Sequence, residues 1–289
     1  MQSYFIRRLL KVCDNNVSQA KQELRWITQH VLNQTKNNYY NCNNIQQLDE
    51  KEKQTIALMV NDRVEKYKPL QYILGTQPFC DLEIITKPPV LIPSRWETEE
   101  WTNRLITKIN SRIFSKNQKG IKNNNDINRN GYLDRAEGKQ IEILDICTGS
   151  GCIALALASN LPDNTCKVYG IDLSVEALEL ANLNLRQQQQ LKNFVDFSKL
   201  DILNDEDEKI KRFVKEKSLN GLGFNLIVSN PPYITYEEYE DLIPDVKLWE
   251  DKIALVTKII DELNKNGFRW YEVWKDSRGI DRCVAARLQ

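Results

Sequence analysis

Histidine is almost missing from this chain. Its single copy, His30, stands in a stretch that reads as the surface of a helix, so chemistry built on an imidazole base has little to draw on. A surplus of charge is missing too: 40 Lys and Arg meet 40 Asp and Glu. Gripping a long stretch of nucleic acid takes an excess of basic side chains on one face, so no direct nucleic-acid partner is expected beyond a local patch. The cysteine spacing of a zinc site is lacking. Cys13, Cys42, Cys80, Cys147, Cys152, Cys166 and Cys283 are scattered, odd in number and never C-x-x-C. That pattern argues against a disulfide framework and fits a reducing compartment. No apolar run is long enough to cross a bilayer, so no membrane partner is expected.

What is present divides along the chain. Residues 1–68 read as a small helical domain. Ala20, Leu24, Ile27 and Val31 fall at helical spacing, and Ile56, Met59, Val60 and Val64 repeat the pattern. The opening MQSYFIRRLLKVC holds Arg7, Arg8 and Lys11 and no acid; it reads equally as a basic first helix and as a weak mitochondrial transit signal. Residues 69–96 carry Pro, Gly and aromatic residues among short extended runs, the texture of a hairpin linker. Residues 97–289 form the third unit, opening with a helix from Glu97 to Ile113.

An Asn-rich insertion interrupts that unit at 115–140, a composition that cannot offset the entropy of ordering. Within it, Asp126, Asn128, Asn130, Gly131, Asp134 and Glu137 match a calcium-loop pattern. The flanks lack the helix on each side that such a loop needs, and no metal is expected.

From Ile141 onward, IEILDIC, KVYGIDLS, DFSKLDIL and FNLIVSN read as strands, with helices after the first two. Alternation of this length gives an α/β, Rossmann-like parallel sheet with helices on both faces and ligands at the carboxyl ends of its strands.

Two motifs sit at such strand ends. The first is Asp145-Ile146-Cys147-Thr148-Gly149-Ser150-Gly151, followed by Asp172 at the end of the next strand. Gly149 and Gly151 let backbone approach a ligand closely, and Asp172 can accept hydrogen bonds from ribose hydroxyls. A dinucleotide would want G-x-G-x-x-G. Asp145 beside the turn would repel phosphate but suits a cation, and S-adenosylmethionine carries both a sulfonium and an ammonium. An ordinary strand-to-helix turn remains the plain alternative.

The second motif, Asn230-Pro231-Pro232-Tyr233, directly follows the fourth strand. Two prolines end the strand and fix the chain. The Asn230 side-chain oxygen and the Pro231 carbonyl can then accept both hydrogens of an NH2 group, with Tyr233 stacked on the planar acceptor. Those two acceptors push electron density onto a nitrogen whose lone pair is otherwise delocalised. Catalysis of this kind is positioning and electrostatics and needs no general base.

With the segment PLQYILGTQPF…VLIPSRWETEEW, these motifs resemble the HemK/PrmC protein-glutamine methyltransferases, from about Gln19 onward. The resemblance implies a class I S-adenosylmethionine-dependent fold, with a cofactor site formed by Asp145, Cys147, Thr148, Gly149, Ser150, Gly151, Asp172, Asp201, Ile202 and Asn230. It implies that the acceptor is the glutamine of the Gly-Gly-Gln loop of a peptide-chain release factor, held by Asn230 to Tyr233. Arg95 to Glu99 would lie near the cleft. The W-E-T-E-E-W form and the Asn-rich insertion are similar to the fungal mitochondrial branch, which favours mitochondria over the cytoplasm, and a monomer is expected.

Two departures stand out. Cys147 occupies a usual glycine position. The family's fifth strand and the helix before it are missing, so the C-terminal part of the sheet is shortened. The final hairpin then either pairs directly with the fourth strand or leaves the sheet edge disturbed. The alternatives are a DNA adenine-amino methyltransferase, which would want a basic groove and a base-reading domain, and an S-adenosylmethionine-binding protein disabled by the C-terminal loss.

Overall fold

The computed structural model describes residues 1–35, 48–93, 97–118, 140–202, 204–218, 221, 223–232, 239–252, 270–275 and 281–287. The calcium-loop match, Tyr233, Arg95 and Trp96 lie outside the described residues.

The apolar stripes of the first 65 residues become helices α1 (Gln2–Leu9), α2 (Val17–Thr35) and α3 (Glu50–Glu65). Ala20, Leu24, Ile27, Val31, Ile56, Val60 and Val64 are all buried in one cluster with Phe5 and Leu9. A capping box starts α3: Asp49 accepts from the Glu52 amide at 2.7 Å, and the Glu52 carboxylate accepts from the Asp49 amide at 3.0 Å. It satisfies two amides that the helix start otherwise leaves unpaired. A short α4 (Leu70–Leu74) ends on Gly75 at φ 79°, a left-handed cap that favours glycine. Leu70 and Leu74 pack on the helical cluster, so the helical unit runs on past Lys68.

The hairpin β1 (Thr76–Phe79) and β2 (Leu82–Ile85) follows, antiparallel, and then α5 (Thr98–Gln118). The alternating elements are β3 (Ile141–Ile146), α6 (Cys152–Asn160), β4 (Cys166–Asp172), α7 (Val175–Gln187), β5 (Phe194–Lys199), α8 (Asp207–Lys217) and β6 (Leu226–Ser229). Helix α8 lies in a strongly charged stretch with a narrow apolar stripe; Ile210, Phe213 and Val214 attach it to the sheet. A one-turn α9 (Pro244–Lys247) and strands β7 (Trp270–Lys275) and β8 (Asp281–Arg287) complete the described chain.

The sheet runs β5-β4-β3-β6-β8-β7. Its first four strands are parallel, and β8 and β7 are antiparallel additions. Of the two arrangements open to the hairpin, the first holds. Ser229 lies opposite Val284 and Ile227 opposite Ala286, so β8 pairs directly with β6. The central strand β3 is buried along its whole length, as both-face coverage requires. Ile143 and Val168 face one core with α6, while Leu144 and Ile171 face the other.

Candidate functional site

Both motifs emerge side by side because β3 and β6 are neighbours. The Ser229 hydroxyl donates to the Ile146 carbonyl at 2.8 Å and ties the two strand ends together. After β3 the chain turns through Cys147, Gly149 and Gly151, whose φ angles are 58°, 54° and 79°. These are left-handed values that glycine adopts without cost. Cys147, at a usual glycine position, bears the strain of a Cβ in that region.

Asp145 is completely buried. Its Oδ2 accepts from the Thr148 hydroxyl at 2.7 Å, and its Oδ1 makes no close hydrogen bond among the described residues. Burial pushes its carboxyl up to about 7, with the Thr148 hydroxyl and the Ala154 amide pulling the other way. The carboxylate expected to face a cation therefore sits one layer beneath the turn, covered by Thr148. Asp172 holds the turn from outside: its Oδ2 accepts from the Gly149 amide at 2.9 Å and its Oδ1 from the Ser174 amide at 3.0 Å. Each oxygen keeps a further lone pair for a ligand hydroxyl.

A cleft opens here. Cys147, Gly149, Asp172, Asn230 and Pro232 all line it. Leu173, Ser174 and Ala177 add the start of α7, and the linker supplies Pro89, Val90 and Leu91. Asp251, unremarked in the sequence, lines it as well. No described lysine or arginine does. Thr148, Ser150 and Gly151 form the turn behind the lining. Asp201 lies beyond β5, where its carboxylate is taken by Asn204, and Ile202 packs on the core. A wider groove outside α7 and residues 87–90 carries none of the motif residues.

Asn230 Nδ2 turns towards Thr98 Oγ1, a long contact of 3.5 Å. Thr98 is buried at the start of α5, so the first residue of that helix reaches the site. Burial, with Asp172 and Asp145 adding to it, pushes the Cys147 thiol up to about 12, so it stands in the wall protonated and unreactive.

The donor set fits S-adenosylmethionine. A Cβ built on Gly149 meets nothing within 4 Å, so the turn offers room for close approach. Two carboxylates and no described cation suit a positively charged ligand. A strand-to-helix glycine turn, an acid ending the next strand and a flanking Asn-Pro-Pro define a class I methyltransferase fold.

Comparison with known proteins agrees at each end of the chain. Residues 6–75 match the PrmC N-terminal domain and residues 137–267 a methyltransferase domain. The chain is 32% identical over 257 residues to the mitochondrial MRF1 N(5)-glutamine methyltransferase MTQ1 of Saccharomyces cerevisiae, covering 87% of this chain and 63% of that protein. It is 33% identical over 195 residues to the probable MRF1 mitochondrial N(5)-glutamine methyltransferase mtq1 of Schizosaccharomyces pombe, covering 66% and 52%. Against the release factor glutamine methyltransferase of Geobacter sulfurreducens, identity is 30% over 244 residues, covering 84% and 69%. The chain belongs to the release factor glutamine methyltransferase family. It spans 63% and 52% of the length of its two fungal relatives.

Proposed function

We propose that this chain transfers a methyl group from S-adenosylmethionine to the side-chain amide nitrogen of a glutamine, the one in the Gly-Gly-Gln loop of a mitochondrial peptide-chain release factor. The observation that carries this reading is the juxtaposition of Gly149, Asp172 and Asn230 on one cleft, with Asn230 Nδ2 turned away to Thr98. With Nδ2 engaged there, Asn230 Oδ1 would be the acceptor. The names of the fungal relatives support both the substrate class and the compartment.

Gly149 and the cleft-side lone pairs of Asp172 would hold the backbone-facing and ribose parts of the cofactor. Thr148, Ser150, Gly151, Asp145, Asp201 and Ile202 would act through the turn and the strand end. The bound cofactor supplies an electrophilic methyl group on a sulfonium. Asn230 Oδ1 and the Pro231 carbonyl would take the two amide hydrogens and orient the nitrogen, with Tyr233 against the amide plane. Nothing in this scheme abstracts a proton before transfer; one of the two amide hydrogens would leave as a proton to water once the nitrogen carries the methyl group, with S-adenosylhomocysteine as the other product. The contribution is alignment and the placing of acceptors where the nitrogen becomes positive.

The test is mass spectrometry of a mitochondrial release factor incubated with the chain and labelled S-adenosylmethionine. A methyl group on the Gly-Gly-Gln glutamine is expected. Asn230→Ala removes one preorganised acceptor and is expected to slow transfer by roughly 100-fold or more, with cofactor affinity changed far less. An unlabelled release factor beside labelled DNA would move the reading to an exocyclic amine. Cofactor binding without transfer to either would mark a disabled enzyme.

A further inference from the structure

Residues 239–252, which follow the Asn-Pro-Pro motif in sequence, lie against the helical unit. They meet α3 at Arg63, which is 5% exposed. The guanidinium already has a buried partner: Nε donates to Glu23 Oε2 at 3.0 Å. A second acid arrives from the far end of the sequence, where Nη1 donates to Asp245 Oδ2 at 2.6 Å. One carboxylate suffices to neutralise a guanidinium. A further part-buried ion pair adds little net stability against its desolvation, and its best-attested use is to fix register.

Trp249 makes a second tie. Its Nε1 donates to the Lys66 carbonyl at 2.9 Å, and its ring lies 6.5 Å from that of Tyr72. Tyr72 is itself anchored, its hydroxyl donating to the Val90 carbonyl at 2.6 Å. Two residues past Trp249, the Asp251 amide donates to the Pro89 carbonyl at 2.9 Å. Pro89, Val90 and Asp251 are walls of the cleft. The contacts therefore run unbroken from α2 through Arg63 and Asp245 to the cofactor wall.

The geometry points to Arg63, Asp245 and Trp249 as positioning residues, through which the helical unit sets the wall of the cleft and with it the affinity for S-adenosylmethionine. This rests on reading the cleft as the S-adenosylmethionine site. No described residue of the helical unit lines the cleft, so its influence would pass through residues 239–252 and 89–90.

Calorimetric titration of the full chain with S-adenosylmethionine tests it. Asp245→Asn keeps the Arg63–Glu23 pair and is expected to bind about tenfold more weakly, raising KM for the cofactor while kcat at saturation stays near wild type. Asp245→Glu restores part of the loss, which a general loss of packing would not allow. Trp249→Phe keeps the ring but not the donor and shifts affinity in the same direction. Glu240→Gln breaks an exposed pair with Lys247 in the same segment and leaves affinity unchanged. Wild-type affinity in both Asp245→Asn and Trp249→Phe overturns the tie while leaving the proposed function standing. If Asp245→Asn loses its cooperative thermal transition, Trp249→Phe decides alone. A wild-type chain that binds no S-adenosylmethionine overturns the reading of the cleft, and the tie with it.

Discussion

Gly149 and Gly151 stand two residues apart in one turn, both in the left-handed region, yet an added methyl group meets different things at each. At Gly149 it points into open space; at Gly151 it lands 2.8 Å from the Phe197 ring and 3.1 Å from Ala181 Cβ. Alanine at either costs about 1–2 kcal/mol of backbone strain. At Gly151, overpacking adds a further cost of about 1–3 kcal/mol, and the variant should lose stability first. At Gly149 the methyl enters the cleft, so Gly149→Ala should lose cofactor affinity out of proportion to its stability. Urea unfolding beside cofactor titration separates the two. Equal affinity in Gly149→Ala and wild type would show that the turn does not approach the ligand. The two glycines were legible in the sequence as a pair lacking Cβ atoms. Their different neighbours were not, because Phe197 comes from a strand two places away in the sheet. Asp145 shows the same limit: its type and spacing were visible, its depth beneath Thr148 was not.

At the level of elements, Asn184 holds the linker hairpin to the Rossmann-like unit. It is fully buried on α7. Its Oδ1 accepts from the Ile85 amide at 2.7 Å, and its Nδ2 donates to the Ile85 carbonyl at 3.2 Å and to the Ser150 carbonyl at 2.9 Å. One side chain thus satisfies the end of β2 and the middle of the glycine turn together. Asn184→Leu would leave those buried groups without partners, at about 1–3 kcal/mol for each one that water cannot reach. Denaturant unfolding should show a large loss, and cofactor affinity should fall with it because Ser150 belongs to the turn. A loss within a few tenths of a kcal/mol would mean that water replaces the amide. In sequence, Asn184 is one polar residue in LANLNLRQ, and its partner Ile85 is 99 positions away, so helical periodicity could not single it out. Helical periodicity located the long helices and apolar runs located the strands. The third strand, Phe194–Lys199, nonetheless starts and ends ahead of the run DFSKLDIL, because its pairing with β4 rather than the apolar run sets its ends. Periodicity passed over α8, where three apolar residues in a strongly charged stretch make a narrow stripe.

For the whole molecule, the order β5-β4-β3-β6-β8-β7 places a C-terminal hairpin directly against the strand that carries Asn230. The sequence made the four parallel strands and the hairpin visible and left their junction open, because ladder pairing between distant segments has no local signature. In the structure, β8 completes the hydrogen-bonding edge of β6 at Ile227, Val228 and Ser229. β6 is therefore an inner strand, with β8 and then β7 outside it. Removing residues 270–289 would expose β6 as an edge with a buried apolar strand, Leu226–Ser229, at its rim. Unprotected edges of this kind pair with other chains. The truncated chain should elute as soluble aggregates in size-exclusion chromatography and melt without a cooperative transition, even though both motifs remain in it. A truncated chain that stays monomeric and still binds S-adenosylmethionine would show instead that the parallel core and the helical unit carry the fold, with the hairpin serving only to cover the edge. The direct pairing argues for the first result: Ser229 ties β6 to β3 on one side and pairs with Val284 on the other, so the last residue before Asn230 is held from both sides only while the hairpin is present.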